Sequence, residues 1–256
     1  MMGNSSSPVR IGMVGITGRM GREIVALAAD DPEVVVVGGI AGPRSAVTEV
    51  DGVPVVSTLT DLLPQCDVVI DFSSPEASVA VASAAADAEV PIVIGTTGLD
   101  AGQMDVLRAA ASRTAVYYAR NTAHGVNALL GLLPQIAAAL SGYDIEIVEM
   151  HHRHKKDAPS GTALALGEAV IAGLPDAPSR TVRGRDGLSP RQGGEIGFHS
   201  LRGGGNTGEH TIVFASDGEE IRISHRALNR GAFASGAIRA AKALVGREPG
   251  WYGPSA

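Results

Sequence analysis

A chain of 256 residues with 45% hydrophobic composition has material for one large core or two modest ones and needs no covalent staple. Its single cysteine, Cys66, excludes an intrachain disulfide and points to a reducing, cytoplasmic setting. A net charge of -6 argues against a general nucleic-acid binder, aromatics at 4% against a base-stacking surface, and no apolar run reaches the roughly 18 residues of a membrane span.

After the polar opening MMGNSSSPVR, β-branched runs alternate with alanine-rich helical segments: VRIGMVG, RMGREIVALAAD, VVVVGGI, VVIDFSS, PEASVAVASAAADA, VPIVIGTTG, DAGQMDVLRAAASR and AVYYARN. Short connections between such elements predict a parallel sheet sandwiched by helices. Cys66, leading into an apolar strand with no base or cation nearby in sequence, reads as a buried thiol rather than a nucleophile. Near Thr122 the pattern changes: HGVNALLGLLPQIAAAL reads as a long helix, YDIEIVEMHH as an alternating strand and SGTALALGEAVIAG as a helix. The following PDAPSRTVRGRDGLSPRQGG has no periodicity. EIGFHSLR, GEHTIVFAS and EEIRISHRAL then read as strands, the last two joined by a tight turn at Asp217-Gly218, and GAFASGAIRAAKALVG as a helix that packs back on the first domain. The region after Thr122 is thus expected to be a mixed or antiparallel sheet with helices on one face.

GITGRMGREI, Gly15 to Ile24, joins the first strand to the first helix. Glycines at Gly15, Gly18 and Gly21 suit a tight turn, close approach of backbone to a pyrophosphate and close packing of helix on strand, with helix amides facing the anion. The spacing is one residue longer than the dinucleotide fingerprint, and a structural turn is the alternative. No acid follows the second strand, where NAD ribose hydroxyls would want one; Arg44 and Arg19 suit a 2′-phosphate instead, which favours NADPH over NADH unless Arg44 is only a solvated loop residue. GTTGLD, with Gly95, Thr96 and Thr97, ends another strand on the same sheet edge and would admit a nicotinamide, or be an ordinary turn.

The densest chemistry lies in EMHHRHKKDAPSGTALAL, Glu149 to Leu166. Alternation sends His151 and His152 to opposite faces, or sets them where the strand breaks. The charges of Arg153, Lys155 and Lys156 oppose a metal, so no metal site is expected. Ser160, Gly161 and Thr162 open a helix whose amides and hydroxyls suit a carboxylate, although plain capping is the simpler role. Lys155 adds a full charge and His151 a proton near neutral pH. Together they describe hydride reduction of an anionic substrate with a positioned acid.

These residues resemble the 4-hydroxy-tetrahydrodipicolinate (dihydrodipicolinate) reductases of bacterial lysine biosynthesis. The resemblance runs through GITGRMGRE, DFSSPE, VIGTTG, GVN, IEIVEMHHRHKKDAPSGTAL, IGFHSLR, GEHTIVFA and RGAFASGA, with the histidine and lysine segment the most specific. It implies His151 as general acid, Lys155 as its cationic partner, and His152, Ser160, Gly161 and Thr162 as holders of a substrate carboxylate. It implies a cofactor set of Gly15, Thr17, Gly18, Arg19, Met20, Gly21 and Arg44, joined by Gly95, Thr96, Thr97 and Asn121. The implied reaction takes a cyclic hydroxy-imine dicarboxylate, with loss of water, to tetrahydrodipicolinate, His151 protonating the carbanion left by hydride addition.

The expected fold is α/β: a Rossmann-like dinucleotide-binding domain, 1–122 with 230–256, and an α+β substrate and oligomerisation domain, 123–229, with a mixed sheet. The resemblance also implies a homotetramer built through sheet edges of the second domain, with EIGFHSLR and GEHTIVFAS as candidates. The chain departs from the family at Asn121-Thr122-Ala123-His124, where an imidazole stands in place of an aromatic; His124 reads as a solvated or capping residue. Two other readings fit the residues, a related imine reductase acting on another carboxylate and an NADP-binding protein without turnover.

Overall fold

The computed structural model describes residues 7–254; residues 1–6 of the predicted polar opening and 255–256 of the tail lie outside the described residues. The chain divides into two compact units, one running to Ala123 and resuming over Arg230–Pro254, the other His124–Asn229. In chain order the first contains β1 (Val9–Val14), α1 (Arg19–Ala29), β2 (Val34–Ile40), a small hairpin of β3 (Glu49–Val50) and β4 (Val53–Pro54), and α2 (Leu59–Leu62) with a 3-10 turn. It continues with β5 (Val68–Asp71), α3 (Pro75–Asp87), β6 (Ile92–Ile94), α4 (Ala101–Ala110) and β7 (Ala115–Tyr118). The second unit holds α5 (His124–Ala139), β8 (Asp144–His151), α6 (Gly161–Gly173), β9 (Arg180–Arg183), β10 (Glu195–Arg202), β11 (Glu209–Ala215) and β12 (Glu220–Arg226). The chain then returns to the first unit as α7 (Gly231–Leu244) and β13 (Gly250–Tyr252).

In the first unit all six strands of the main sheet are parallel, in the order β13-β7-β6-β5-β1-β2. Side chains from both faces of such a sheet are buried, which is why its strands read as continuous apolar runs. Ile11, Met13 and Ile70 pack with Ile24 and Val25 of α1 and with Ala237, Ala241 and Leu244 of α7. Val69, Ile92 and Ile94 pack with Val81 and Ala85 of α3 and Leu107 of α4. The helix starts are chemically marked: Ser74 accepts the N–H of Ala77 ahead of Pro75, and Asp100 and Gln103 form a capping box. Burial pushes the Cys66 thiol up to about 11, which leaves it unreactive near neutral pH.

The second unit carries a mixed five-stranded sheet in the order β12-β11-β8-β10-β9. Ile145 and Ile147 of β8, Ile196 and Phe198 of β10, and Ile212 and Phe214 of β11 pack under Leu133 of α5 and Leu166 and Val170 of α6. The alternate residues of β8, such as Glu146 and Val148, form the opposite face, where Glu146 accepts from Arg191, Arg185 and His199. Two expectations need correction. EIGFHSLR and GEHTIVFAS are interior strands, β10 and β11; the edges belong to β9 and β12. The stretch without periodicity contains β9, whose residues are mostly exposed and which is tied to β10 by an Arg180–Glu195 ion pair at 2.8 Å rather than by an apolar pattern. Among the described residues no helix is long and apolar enough to cross a membrane.

Phe214 is fully buried at the centre of the second core, whereas Leu188 is fully exposed. Phe214→Ala should lower the unfolding free energy by about 3–5 kcal/mol, and Leu188→Ala by less than about 0.5 kcal/mol, in urea titrations.

Candidate active site

Because its strands run parallel, the first unit gathers the loops after β1, β2, β5, β6 and β7 at one carboxyl edge. Gly15 turns the chain out of β1 at φ +82°, and α1 then crosses so close that a Cβ on Gly21 would lie 2.4 Å from the carbonyl oxygen of Gly15. Gly18 is the N-cap of α1 and brings no side-chain cap to its first-turn amides. Thr17 and Met20 are half-buried beside it, and Arg19 is exposed at the first helical position. Bare amides, a helix dipole and an adjacent guanidinium fit a pyrophosphate. Arg44 is exposed in the turn closed by Ser45 N–H to Gly42 O at 2.9 Å. In the loop after β6, Gly95 is half-buried, Thr96 buried and Thr97 exposed. Asn121, after β7, accepts the N–H of Ala123 at 2.8 Å. His124 opens α5 as an exposed residue.

In the second unit β8 ends at His151, and His152 lies just past the strand, so the two histidines part where the strand breaks. His151 is buried, with Nδ1 2.6 Å from Oε2 of Glu149. Alternation places Glu149 on the same face two residues earlier, so the period of the strand alone pairs the two. A carboxylate can only accept, so Nδ1 carries the hydrogen and Nε2 is left as the exchanging atom. Glu149 also accepts both Nη1 and Nη2 of Arg202 at 2.8 Å and the N–H of Ser160 at 3.1 Å. Burial would raise the Glu149 carboxyl, but hydrogen bonds from His151 and Arg202 outweigh it and hold the group well below the usual carboxylate range. Arg202 comes from β10 through the register that sets it beside His151, which no local pattern could reveal.

Ser160 caps α6: its hydroxyl accepts the N–H of Ala163 at 3.1 Å and meets Nε2 of His210 at 2.9 Å. The hydroxyl keeps a second lone pair as well as its hydrogen, so the tautomer of His210 sets which of the two donates. Both polar groups of Ser160 thus serve the protein's own framework, while the amides of Gly161 and Thr162 share the positive end of the helix. The His210 ring stands edge-on to His151 with centroids 5.1 Å apart. Lys155 pairs with Asp157 at 3.0 Å. His152 donates its backbone N–H to Asn206 O at 2.8 Å and accepts the N–H of His154 at Nδ1.

Burial, reinforced by the neighbouring His151, pushes His210 down from 6.5 to about 3, so it remains neutral. The unfolded chain then binds a proton that the native state refuses, and stability falls as pH drops below 6.5 toward 3. The slope from this group approaches about 1.4 kcal/mol per pH unit. His210→Gln, whose amide can either donate to or accept from Ser160, should flatten the decline in urea midpoint between pH 7 and pH 5, roughly the upper part of that window.

Comparison with known proteins identifies the family. A family model described as the dihydrodipicolinate reductase N-terminus matches residues 9–122, and one described as the C-terminus of the same family matches 125–255. A 4-hydroxy-tetrahydrodipicolinate reductase from Thermomicrobium roseum is 44% identical over 250 residues, covering 95% of this chain and 97% of the relative. One from Rubrobacter xylanophilus is 44% identical over 253 residues, covering 95% and 96%. A solved dipicolinate-bound dihydrodipicolinate reductase from Paenisporosarcina sp. TG-14 superposes with TM-score 0.77 at 23% identity, covering 96% of this chain and 97% of that one, which shows the shared fold. Matched through both of its units, the chain belongs to the dihydrodipicolinate reductase family.

Proposed function

We propose that the protein reduces 4-hydroxy-tetrahydrodipicolinate to tetrahydrodipicolinate with NAD(P)H, in the diaminopimelate route to lysine. The observation that carries the reading is His151, fixed through Nδ1 on a buried, ionised Glu149, in a chain of this reductase family. Residues 1–122 and 230–256 would bind the cofactor, and 123–229 the substrate. The amides opening α1, with Gly15, Thr17, Gly18, Arg19, Met20 and Gly21, would hold the pyrophosphate; Gly95, Thr96, Thr97 and Asn121 would face the nicotinamide end. When bound, the cofactor supplies the hydride.

The residues of the second unit do the rest. The amides of Gly161 and Thr162 at the start of α6 receive a substrate carboxylate, with Lys155 and His152 beside them. Ser160 acts by holding that start in place. Lys155 balances the negative charge that develops on the ring, and His151 delivers the Nε2 proton to the carbon that becomes basic after hydride addition. Glu149 keeps the imidazole in one tautomer, with Nε2 turned toward the substrate side. For assembly we favour a homotetramer using the sheet face opposite α5 and α6, where half-exposed Leu201 lies beside Met150. We assign NADPH as the preferred cofactor, because Arg44 follows β2 where no acid stands.

NADPH oxidation with freshly generated substrate tests the reading directly. Wild-type protein should turn over, and His151→Gln should lose roughly 100 to 10,000-fold in turnover with NADPH binding intact. Glu149→Gln should lose turnover in the same direction. Wild-type protein that binds NADPH but leaves this substrate untouched would refute the assignment and favour another carboxylate or a binding role. Arg44→Ala should raise KM for NADPH by roughly tenfold while KM for NADH stays level.

A further inference from the structure

Asp71 closes β5 as a fully buried carboxylate that none of the assignments above uses. Its oxygens collect donors from three segments. Ser73, just past the strand, gives Oδ1 its N–H at 3.1 Å and its hydroxyl at 2.5 Å. Ser78 of α3 and Thr96 of the loop after β6 give hydroxyl hydrogens to Oδ2, the latter at 3.1 Å. Thr96 Oγ1 in turn accepts the N–H of Ser73 at 3.1 Å, which closes a ring of bonds between the two loops. Phe72 seals the same junction, since a Cβ on Gly95 would lie 2.2 Å from its ring.

Burial raises the Asp71 carboxyl, and the hydroxyl donors of Ser73 and Ser78 oppose it only in part. An apolar residue at this strand end would avoid that desolvation cost, so stability is a poor reason for a carboxylate here. What only an acceptor with two oxygens supplies is a common anchor for two loops at the carboxyl edge. We propose that Asp71 is a positioning residue for the cofactor, holding Ser73 and Thr96 so that the Gly95–Thr97 loop keeps the shape that receives the nicotinamide end. The proposal rests on the cofactor assignment made above.

Asp71→Asn keeps the size but places an amide donor among groups that themselves donate. Full-length protein is titrated with NADPH by fluorescence, and separately with 2′-phospho-ADP-ribose, which lacks the nicotinamide. Asp71→Asn should weaken NADPH by roughly tenfold or more and leave the fragment's affinity unchanged. Thr96→Val should weaken NADPH in the same way and add little in the Asp71→Asn background, while Thr96→Ser, which keeps the hydroxyl, should restore it. Ile70→Val, a core change on the same strand, should lower Tm without moving either affinity. Equal losses for NADPH and the fragment, or an unchanged NADPH affinity in Asp71→Asn, would overturn the positioning role. Wild-type protein that binds NADPH yet fails to reduce the dicarboxylate would sink the proposed reaction and leave the Asp71 comparison standing.

Discussion

The buried carboxylate of Glu149 ties two strands and a helix start of the second unit together. It is 1% exposed and binds the guanidinium of Arg202 from β10, the imidazole of His151 from its own strand, and the N–H of Ser160 at the start of α6. An ion taken out of water costs several kcal/mol unless its partners are well placed, and losing one partner of such a set costs about 3–5 kcal/mol. The group therefore couples stability to geometry: the register of β8 with β10, the tautomer of His151 and the placement of the helix start are satisfied together or not at all.

The two units solve the same problem in opposite ways. Asp71 and Glu149 are both buried at strand ends near candidate ligand loops. Glu149 meets a guanidinium and an imidazole, and its affinity for a proton falls; Asp71 meets only hydroxyls and an amide, and its affinity rises. The difference follows from charge. Cations compensate a desolvated carboxylate, whereas neutral donors do so incompletely. His210 completes the contrast as a base kept neutral by burial.

Much of this was legible in the sequence where periodicity was strong. The continuous apolar runs of β1, β2 and β5 and the alternation in β8 identify buried and half-buried strands, and Ser160 marks a helix start. What escaped was fixed by neighbours distant in sequence. β9 depends on Glu195 rather than on its own pattern, and the three-residue β13 becomes a strand only by pairing with β7. Arg202 lies 53 residues from Glu149 and reaches it through sheet register. The Ser160 hydroxyl also bonds His210, 50 residues away, a contact that only the folded chain reveals.

The chain leaves its first unit at Ala123 and rejoins it at Arg230, and α7 brings Ala237, Ile238, Ala241 and Leu244 to one face of the parallel sheet. During synthesis α1 can already pack on β2, but the part of that face over β5, β6 and β7 lacks its cover until α7 has emerged from the ribosome. The interrupting portion is contiguous and carries a complete core of its own. It can mature while the earlier strands still wait, so nascent β5, β6 and β7 are the surfaces that chaperones must shield.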